Sequence, residues 1–171
     1  MVTLYLLRHA KSSWAEPDLD DHERPLNNRG RRAADLIGAE VAVRGLRPDL
    51  VLCSTAARAR ETLERVLPHL DNPDVVVERA LYLASKSRIV ARVKRIGDKI
   101  DVAMLVGHEP GIGAAATALA GPASDADAAG RLRRKFPTGA LAVIDFPNIA
   151  WPDLAPSAGI LKAFIVPKSL E

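Results

Sequence analysis

Two histidines and two arginines follow apolar runs of the sequence, at or near points where buried strands would end. Arg8 and His9 follow one such run, Arg58 lies shortly after a second, and His108 follows a third. Because open α/β sheets hold ligands at the carboxyl ends of their strands, we expect these side chains to converge at one sheet edge. Imidazole is a nucleophile near neutral pH, and guanidinium groups hold anions by fixed positive charge. This combination favours transfer of a phosphoryl group without a metal ion.

Each residue type fits one requirement of that chemistry. Phosphoryl transfer needs an in-line nucleophile and positive charge around the phosphoryl oxygens. His9 is the expected nucleophile, Arg8 places charge beside it, and an acceptor, often a backbone carbonyl in such sites, must hold the second ring nitrogen of His9. Arg58 should lie in the first turn of a helix, and His108, as an imidazolium, could donate to an oxygen. Taken alone, each of these side chains could simply be solvated or structural. Their occurrence together favours a phosphoryl-transfer site.

The sequence between these residues predicts alternating strands and helices. The expected strands cover residues 2–7, 50–53, 75–77, 102–106, 140–145 and 160–166, and the expected helices cover residues 30–44, 57–70, 86–97 and 111–119. This alternation predicts an α/β fold: a three-layer sandwich with a mostly parallel central sheet and helices on both faces. We expect a Pro-rich hairpin-like connection at 147–158 and a loop over the Ala- and Asp-rich residues 121–130.

Length and composition narrow the class of protein. The 171 residues predict a single domain over 1–171, and 48% hydrophobic residues exclude a disordered chain. A net charge of +3 suits an anionic substrate, whereas 4% aromatic residues give few base-stacking platforms, so we expect no nucleic-acid partner. One cysteine excludes an internal disulfide, and the first apolar run is too short for a membrane span or secretory signal. We therefore expect a soluble cytoplasmic protein without a membrane partner.

Several patterns that would indicate a cofactor or another mechanism do not fit. Cys53 is not followed by the arginine that a cysteine phosphatase needs six positions later, since residue 59 is Ala59, and we expect it to be buried at a strand end. The chain has no nucleotide P-loop motif and no dinucleotide-binding glycine spacing. Its histidines are scattered among few suitable partners. We therefore expect neither a metal ion nor a cofactor.

The start of the second helix carries further expectations. Ser54 or Thr55 should cap this helix with a side-chain oxygen. Arg60 should lie on the surface, paired with Glu64 one turn later.

A basic cluster follows the expected loop at 121–130. It contains Arg131, Arg133, Arg134 and Lys135. A solvated face is the default interpretation of such a run, and a docking patch for a phosphorylated partner protein is the alternative.

Five stretches together resemble one family across nearly the whole chain. They read Leu-Leu-Arg-His-Ala-Lys-Ser-Ser-Trp, Arg-Pro-Leu-Asn-Asn-Arg-Gly, Cys-Ser-Thr-Ala-Ala-Arg-Ala-Arg-Glu-Thr, Val-Gly-His-Glu-Pro-Gly and Lys-Phe-Pro-Thr-Gly-Ala. The sequence is similar to the histidine phosphatase (phosphoglycerate mutase-like) superfamily, and within it to SixA-like phosphohistidine phosphatases. The resemblance implies that His9 becomes phosphorylated, that Arg8, Arg58 and His108 form the phosphate pocket, and that Ser12 lies near the phosphate. It also implies a phosphorylated protein or small phosphorylated molecule as substrate and inorganic phosphate as product.

One departure from larger relatives concerns the proton donor. They place an acidic residue where this chain reads Ala-Leu-Tyr-Leu-Ala-Ser at 80–85. Phosphohistidine needs little acid help because its leaving imidazole can already carry a proton. Other carboxylates that could act as the acid, unless they are only solvated charges, are Asp18, Asp20, Asp21, Glu23 and Glu109. Two alternatives stay open: a small-molecule phosphomonoesterase for sugar or nucleotide phosphates, and an inactive phospho-binding module.

Overall fold

Six strands form one mixed sheet in a computed structural model that describes all 171 residues. They are β1 (Val2–Arg8), β2 (Leu50–Ser54), β3 (Asp74–Glu78), β4 (Val102–Gly107), β5 (Leu141–Phe146) and β6 (Ile160–Ile165). The spatial order is β3-β2-β4-β1-β5-β6. The first four strands in this order run parallel, and β5 and β6 are antiparallel additions at one edge. The mostly parallel sheet predicted from the sequence is confirmed, as is the hairpin-like pairing of the last two strands.

Helices cover both faces of this sheet. They are α1 (Asn28–Val43), α2 (Ala57–Val66), α3 (Lys86–Val93), α4 (Gly111–Leu119) and α5 (Ala126–Arg134). Each face of the sheet has its own hydrophobic core, and alternate side chains of β1 enter the two cores. Leu4 and Leu6 pack with α3, α4 and α5 on one face. Tyr5 and Leu7 pack with α1 and α2 on the other. This two-sided burial explains why β1 reads as a continuous apolar run. The three-layer sandwich is confirmed. None of the helices is both long and apolar enough to cross a lipid bilayer.

The loop predicted over residues 121–130 is wrong, because α5 begins at Ala126. The side chain of Asp125 accepts a hydrogen bond from the Ala128 backbone N–H and caps the helix, and Ala128 and Leu132 are buried against the core. A helix with so few large apolar residues gives only a weak periodic signal. The helix predicted over 57–70 also ends earlier, and a short 3-10 turn at Leu67–His69 replaces its last residues.

The sheet register brings three strand ends to one edge. Arg8 at the end of β1 pairs with Gly107 at the end of β4, and Cys53 of β2 pairs with Val106 beside it. Cys53 is fully buried, as predicted. Because β2, β4 and β1 are adjacent and parallel, the residues that follow them emerge side by side.

Candidate active site

The residues predicted to carry the chemistry converge at this edge. The ring centroids of His9 and His108 lie 5.2 Å apart. Both rings line a cavity of about 290 Å³ together with Arg8, Arg58 and Ser12. The structure therefore brings together all five residues that the sequence singled out, although His9 and His108 are almost a hundred positions apart.

His9 is held by the backbone around it. The backbone N–H of His9 donates to the carbonyl of Gly107 at 3.1 Å, and the backbone N–H of Gly139 donates to the carbonyl of His9 at 3.0 Å. The ring Nδ1 lies 2.6 Å from the carbonyl oxygen of Ala10. A carbonyl only accepts, so Nδ1 carries the proton and Nε2 presents its lone pair. Burial, together with the neighbouring arginines, lowers the pKa of His9 to about 4 and keeps the ring neutral.

The two arginines are anchored through their terminal nitrogens. Arg8 Nη1 donates to the carbonyl of Phe136 at 2.8 Å. Arg58 Nη1 donates to the carbonyl of Asp21 at 2.7 Å, and its Nη2 donates to the Asp21 carboxylate at 3.0 Å. These bonds leave the Nε group of each arginine buried and without a partner.

His108 is oriented by a serine from the neighbouring strand. Its Nε2 lies 2.7 Å from Ser54 Oγ, which also accepts a bond from the Ala56 N–H. The buried Ser54 hydroxyl has no other acceptor for its proton, so it donates to Nε2, and the ring proton therefore sits on Nδ1. Burial, followed by the nearby charges, lowers the pKa of His108 to about 3. In the free site His108 is therefore a neutral imidazole with Nδ1–H as its donor, so donation to an oxygen does not require the imidazolium form considered from the sequence.

Three buried side-chain atoms have no hydrogen-bond partner, and all belong to this site. They are Nε of Arg8, Nε of Arg58 and Nδ1 of His108. Each unpaired buried donor costs on the order of 1–3 kcal/mol, which an acceptor would recover. A tetrahedral oxyanion carries enough lone pairs to accept from all of them beside the Nε2 of His9. The arrangement therefore suits binding of a phosphoryl group in front of a nucleophilic imidazole.

Arg58 occupies the first turn of α2, as predicted, and is almost fully buried. The cap expected from Ser54 or Thr55 is wrong, because no side chain bonds to the first turn from the N-cap position. Arg60 is exposed as predicted, but it donates to the carbonyl of Thr55 at 3.0 Å and makes no pair with Glu64.

Sequence reasoning missed several residues of the cavity wall. Arg24 is buried, donates to Ser12 Oγ at 2.8 Å and lies with its guanidinium carbon 3.5 Å from the centre of the Trp14 ring. The remaining unpredicted lining residues are Lys11, Leu83 and Thr138. Arg24 begins the Arg-Pro-Leu-Asn-Asn-Arg-Gly stretch that resembles the family, and this resemblance could have identified it as a site residue. Leu83 has no such signal, since it reaches the cavity only through the folding of the chain.

The candidate acids separate into distinct environments. Asp18, Asp20 and Glu23 are exposed and do not line the cavity. Partial burial opposes ionisation of Asp21, but hydrogen bonds from Tyr82 and Arg58 outweigh it and lower its pKa to about 2. Asp21 is therefore ionised at neutral pH and cannot give a proton. Glu109 lines the cavity, accepts from the Gly113 N–H, and has its pKa raised mainly by burial.

The fold and the convergence of two imidazoles with two arginines at its carboxyl edge define a phosphoglycerate mutase-like protein. The profile of the histidine phosphatase superfamily (branch 1) matches residues 4–82. An uncharacterized protein of Mycobacterium tuberculosis is 40% identical over 164 residues, which cover 95% of this chain and 100% of that protein.

Solved structures agree with this profile match. A protein from Agrobacterium tumefaciens, proposed to be the phosphohistidine phosphatase SixA, superposes with a TM-score of 0.82 at 33% identity, over 96% of this chain and 97% of that one. A protein from Nakamurella multipartitia, given the same proposed activity, has a TM-score of 0.82 at 33% identity, over 96% of this chain and 95% of that one. The chain belongs to the histidine phosphatase superfamily, within which it is SixA-like.

Proposed function

We propose that this protein hydrolyses phosphohistidine on a phosphorylated protein through a covalent phosphohistidine at His9. One observation supports this most directly: three buried, unpaired donors surround a neutral imidazole whose Nε2 carries no proton. They belong to Arg8, Arg58 and His108. An anion acceptor and a nucleophile are thus provided in the same cavity.

In the first step, Nε2 of His9 attacks phosphorus and a P–N bond forms as the P–N bond of the substrate breaks. Arg8 and Arg58 neutralise the phosphoryl oxygens, and His108 donates through Nδ1–H to one of them. The bonds that hold Arg8 to Phe136 and Arg58 to Asp21 fix both guanidinium groups before substrate arrives.

In the second step, water attacks the phosphorus, a P–O bond forms as the P–Nε2 bond of His9 breaks, and a proton of the water passes to a phosphate oxygen or to solvent. Inorganic phosphate leaves, and His9 is again a neutral ring with its proton on Nδ1. The first leaving group is an imidazole that leaves neutral when its distal nitrogen is already protonated, so no acid from the enzyme is needed. This matches the absence of a carboxylate in residues 80–85. We expect chelators to leave the activity intact and vanadate to inhibit it as a mimic of five-coordinate phosphorus.

Rapid quench with a ³²P-labelled substrate, followed by peptide mapping, tests the covalent step. We expect an acid-labile, base-stable label on the peptide that contains residues 8–11. His9→Ala should lose the label, whereas the matched control His69→Gln, at an exposed histidine, should keep it. Hydrolysis without any label on His9 would refute the mechanism, and binding without hydrolysis in the wild type would identify an inactive phospho-binding module.

One observation favours the alternative of a small-molecule phosphomonoesterase. Glu109 lines the cavity, and its pKa is raised by burial, as suits a proton donor to an alkoxide leaving group. A panel that contains phosphohistidine peptides, sugar phosphates and nucleotide phosphates separates the two. Under our proposal, kcat/KM is highest for the phosphohistidine peptide and Glu109→Gln changes it little. A preference for a sugar or nucleotide phosphate, lost in Glu109→Gln, would favour the alternative.

A further inference from the structure

A second cavity of about 510 Å³ adjoins the phosphate site, and Glu109 lines both. Its floor includes Ala114 and Thr117, small exposed residues one turn apart on α4. Because these side chains are short, the backbone of a bound segment could approach the helix closely. The cavity therefore has the form of a groove that leads to the phosphate site.

The walls of this groove are basic. Lys86, at the start of α3, and Arg133, Arg134 and Lys135, at the end of α5, all line it and are all exposed. None of these four side chains makes a salt bridge or a hydrogen bond, so their charges are free to meet a ligand. Arg131, the remaining member of the basic cluster, is bound to Asp127 and to the carbonyl of Phe164. Unpaired cations at the edge of a groove attract carboxylates and raise the rate of encounter with an acidic partner.

We propose that this groove binds an acidic segment of the substrate protein, which carries the phosphoryl group on the same chain. The inference rests on the proposed function and adds the substrate class: phosphoproteins with carboxylates flanking the phosphorylated residue. Glutamate or aspartate side chains of the substrate pair with Arg133, Arg134 and Lys135 while the phosphoryl group enters the neighbouring cavity.

Position along the chain connects the groove to the phosphate site. The carbonyl of Phe136, which directly follows the basic residues, accepts the bond from Arg8 Nη1. Glu109 lines both cavities, so the groove and the phosphate site meet at this residue. The groove thus selects by charge, and the site beyond it selects by phosphate geometry.

Two phosphohistidine peptides of equal length test the proposal, one flanked by glutamates and one by glutamines, with an aryl phosphate as a groove-independent substrate. The variant R133Q/R134Q removes two groove charges. The matched control R95Q/K99Q removes two exposed, unpaired charges near the opposite end of β4.

For the wild type we expect kcat/KM to be about three- to tenfold higher for the acidic peptide, through a lower KM, and we expect this difference to be lost at high salt. R133Q/R134Q should remove this preference, and the control should keep it, with aryl phosphate hydrolysis unchanged in both.

Equal kcat/KM for both peptides in the wild type, or an equal loss in R95Q/K99Q, would overturn the groove proposal. If the aryl phosphate is hydrolysed but neither phosphohistidine peptide is, the proposed substrate fails, and the same comparison with phosphotyrosine versions of both peptides decides on the groove. Affinities measured by fluorescence anisotropy in the His9→Ala background supply a readout independent of chemistry: a preference of the same size for the acidic peptide supports the groove, and its absence refutes it.

Discussion

The chemistry proposed here depends on which nitrogen of each imidazole carries the proton. The carbonyl of Ala10 assigns the proton of His9, and Ser54 assigns that of His108. The sequence predicted both histidines, because each directly follows an apolar strand. It could not predict the role of Ser54, because a serine at a strand end carries no signal until β2 and β4 are known to be neighbours.

Ser54→Ala tests this assignment. The variant leaves Nε2 of His108 without a partner, so the ring is free to change tautomer and lose the Nδ1–H donor. We expect kcat/KM to fall about 10- to 100-fold, as for other residues that orient a functional histidine. Nitrogen-15 chemical shifts of the His108 ring should show the change of tautomer, which a purely structural role would not produce.

Ser87→Ala, at an exposed serine on α3, is the matched control and should change neither kcat/KM nor the His108 shifts. An unchanged tautomer in Ser54→Ala with full activity would contradict the role given to Ser54.

At the scale of elements, short connections after the strands position the site. The strands and the helices on both faces were predictable because their apolar periodicity is strong. The helix α5 was not, because Ala128 and Leu132 are the only buried residues in it. Close backbone approaches were equally hidden: the Cα of Gly111 faces the Ala84 carbonyl so closely that a Cβ would lie 1.9 Å from its oxygen.

Gly111→Ala should therefore displace α4 from the segment that precedes α3. We expect a loss of about 1–3 kcal/mol in the free energy of unfolding, as for other overpacked sites, with a fall in kcat because His108 lies just before α4. Urea denaturation and steady-state kinetics measure the two effects. Gly97→Ala is the control, since a Cβ there meets nothing within 4 Å, and it should be close to neutral. Equal stability of the two variants would show that the contact is not tight.

At the scale of the whole molecule, the buried site couples stability to pH. His9 and His108 have pKa values of about 4 and about 3 in the folded protein, below their ordinary 6.5. At pH values between 6.5 and these lower pKa values, the two histidines bind more protons in the unfolded chain than in the folded protein. Their contribution to stability is therefore complete above about pH 6.5 and is lost as the pH falls toward 4.

We expect the free energy of unfolding to decrease between pH 7 and pH 4.5, with each histidine contributing a slope of up to about 1.4 kcal/mol per pH unit. Glu109 acts in the opposite direction, because its pKa is raised in the fold. The contribution of Asp21 changes only below its ordinary pKa of 3.8, outside this range.

Urea denaturation at several pH values, compared between the wild type and His108→Gln, isolates one histidine because the effect of Glu109 is common to both. The slope should be smaller in the variant by about 1 kcal/mol per pH unit. Identical slopes would mean that His108 titrates normally in the folded protein.

Completion of the site by residues 136–139 also has a consequence for protein synthesis. The Phe136 carbonyl fixes Arg8, and the Gly139 N–H bonds to the carbonyls of Arg8 and His9. A nascent chain therefore exposes its nucleophile early but lacks an assembled cavity until this late segment has left the ribosome. We therefore expect chains that end before residue 136 to be inactive, and recovery of turnover during refolding to require the long-range pairing of β5 with β1 in addition to the first collapse.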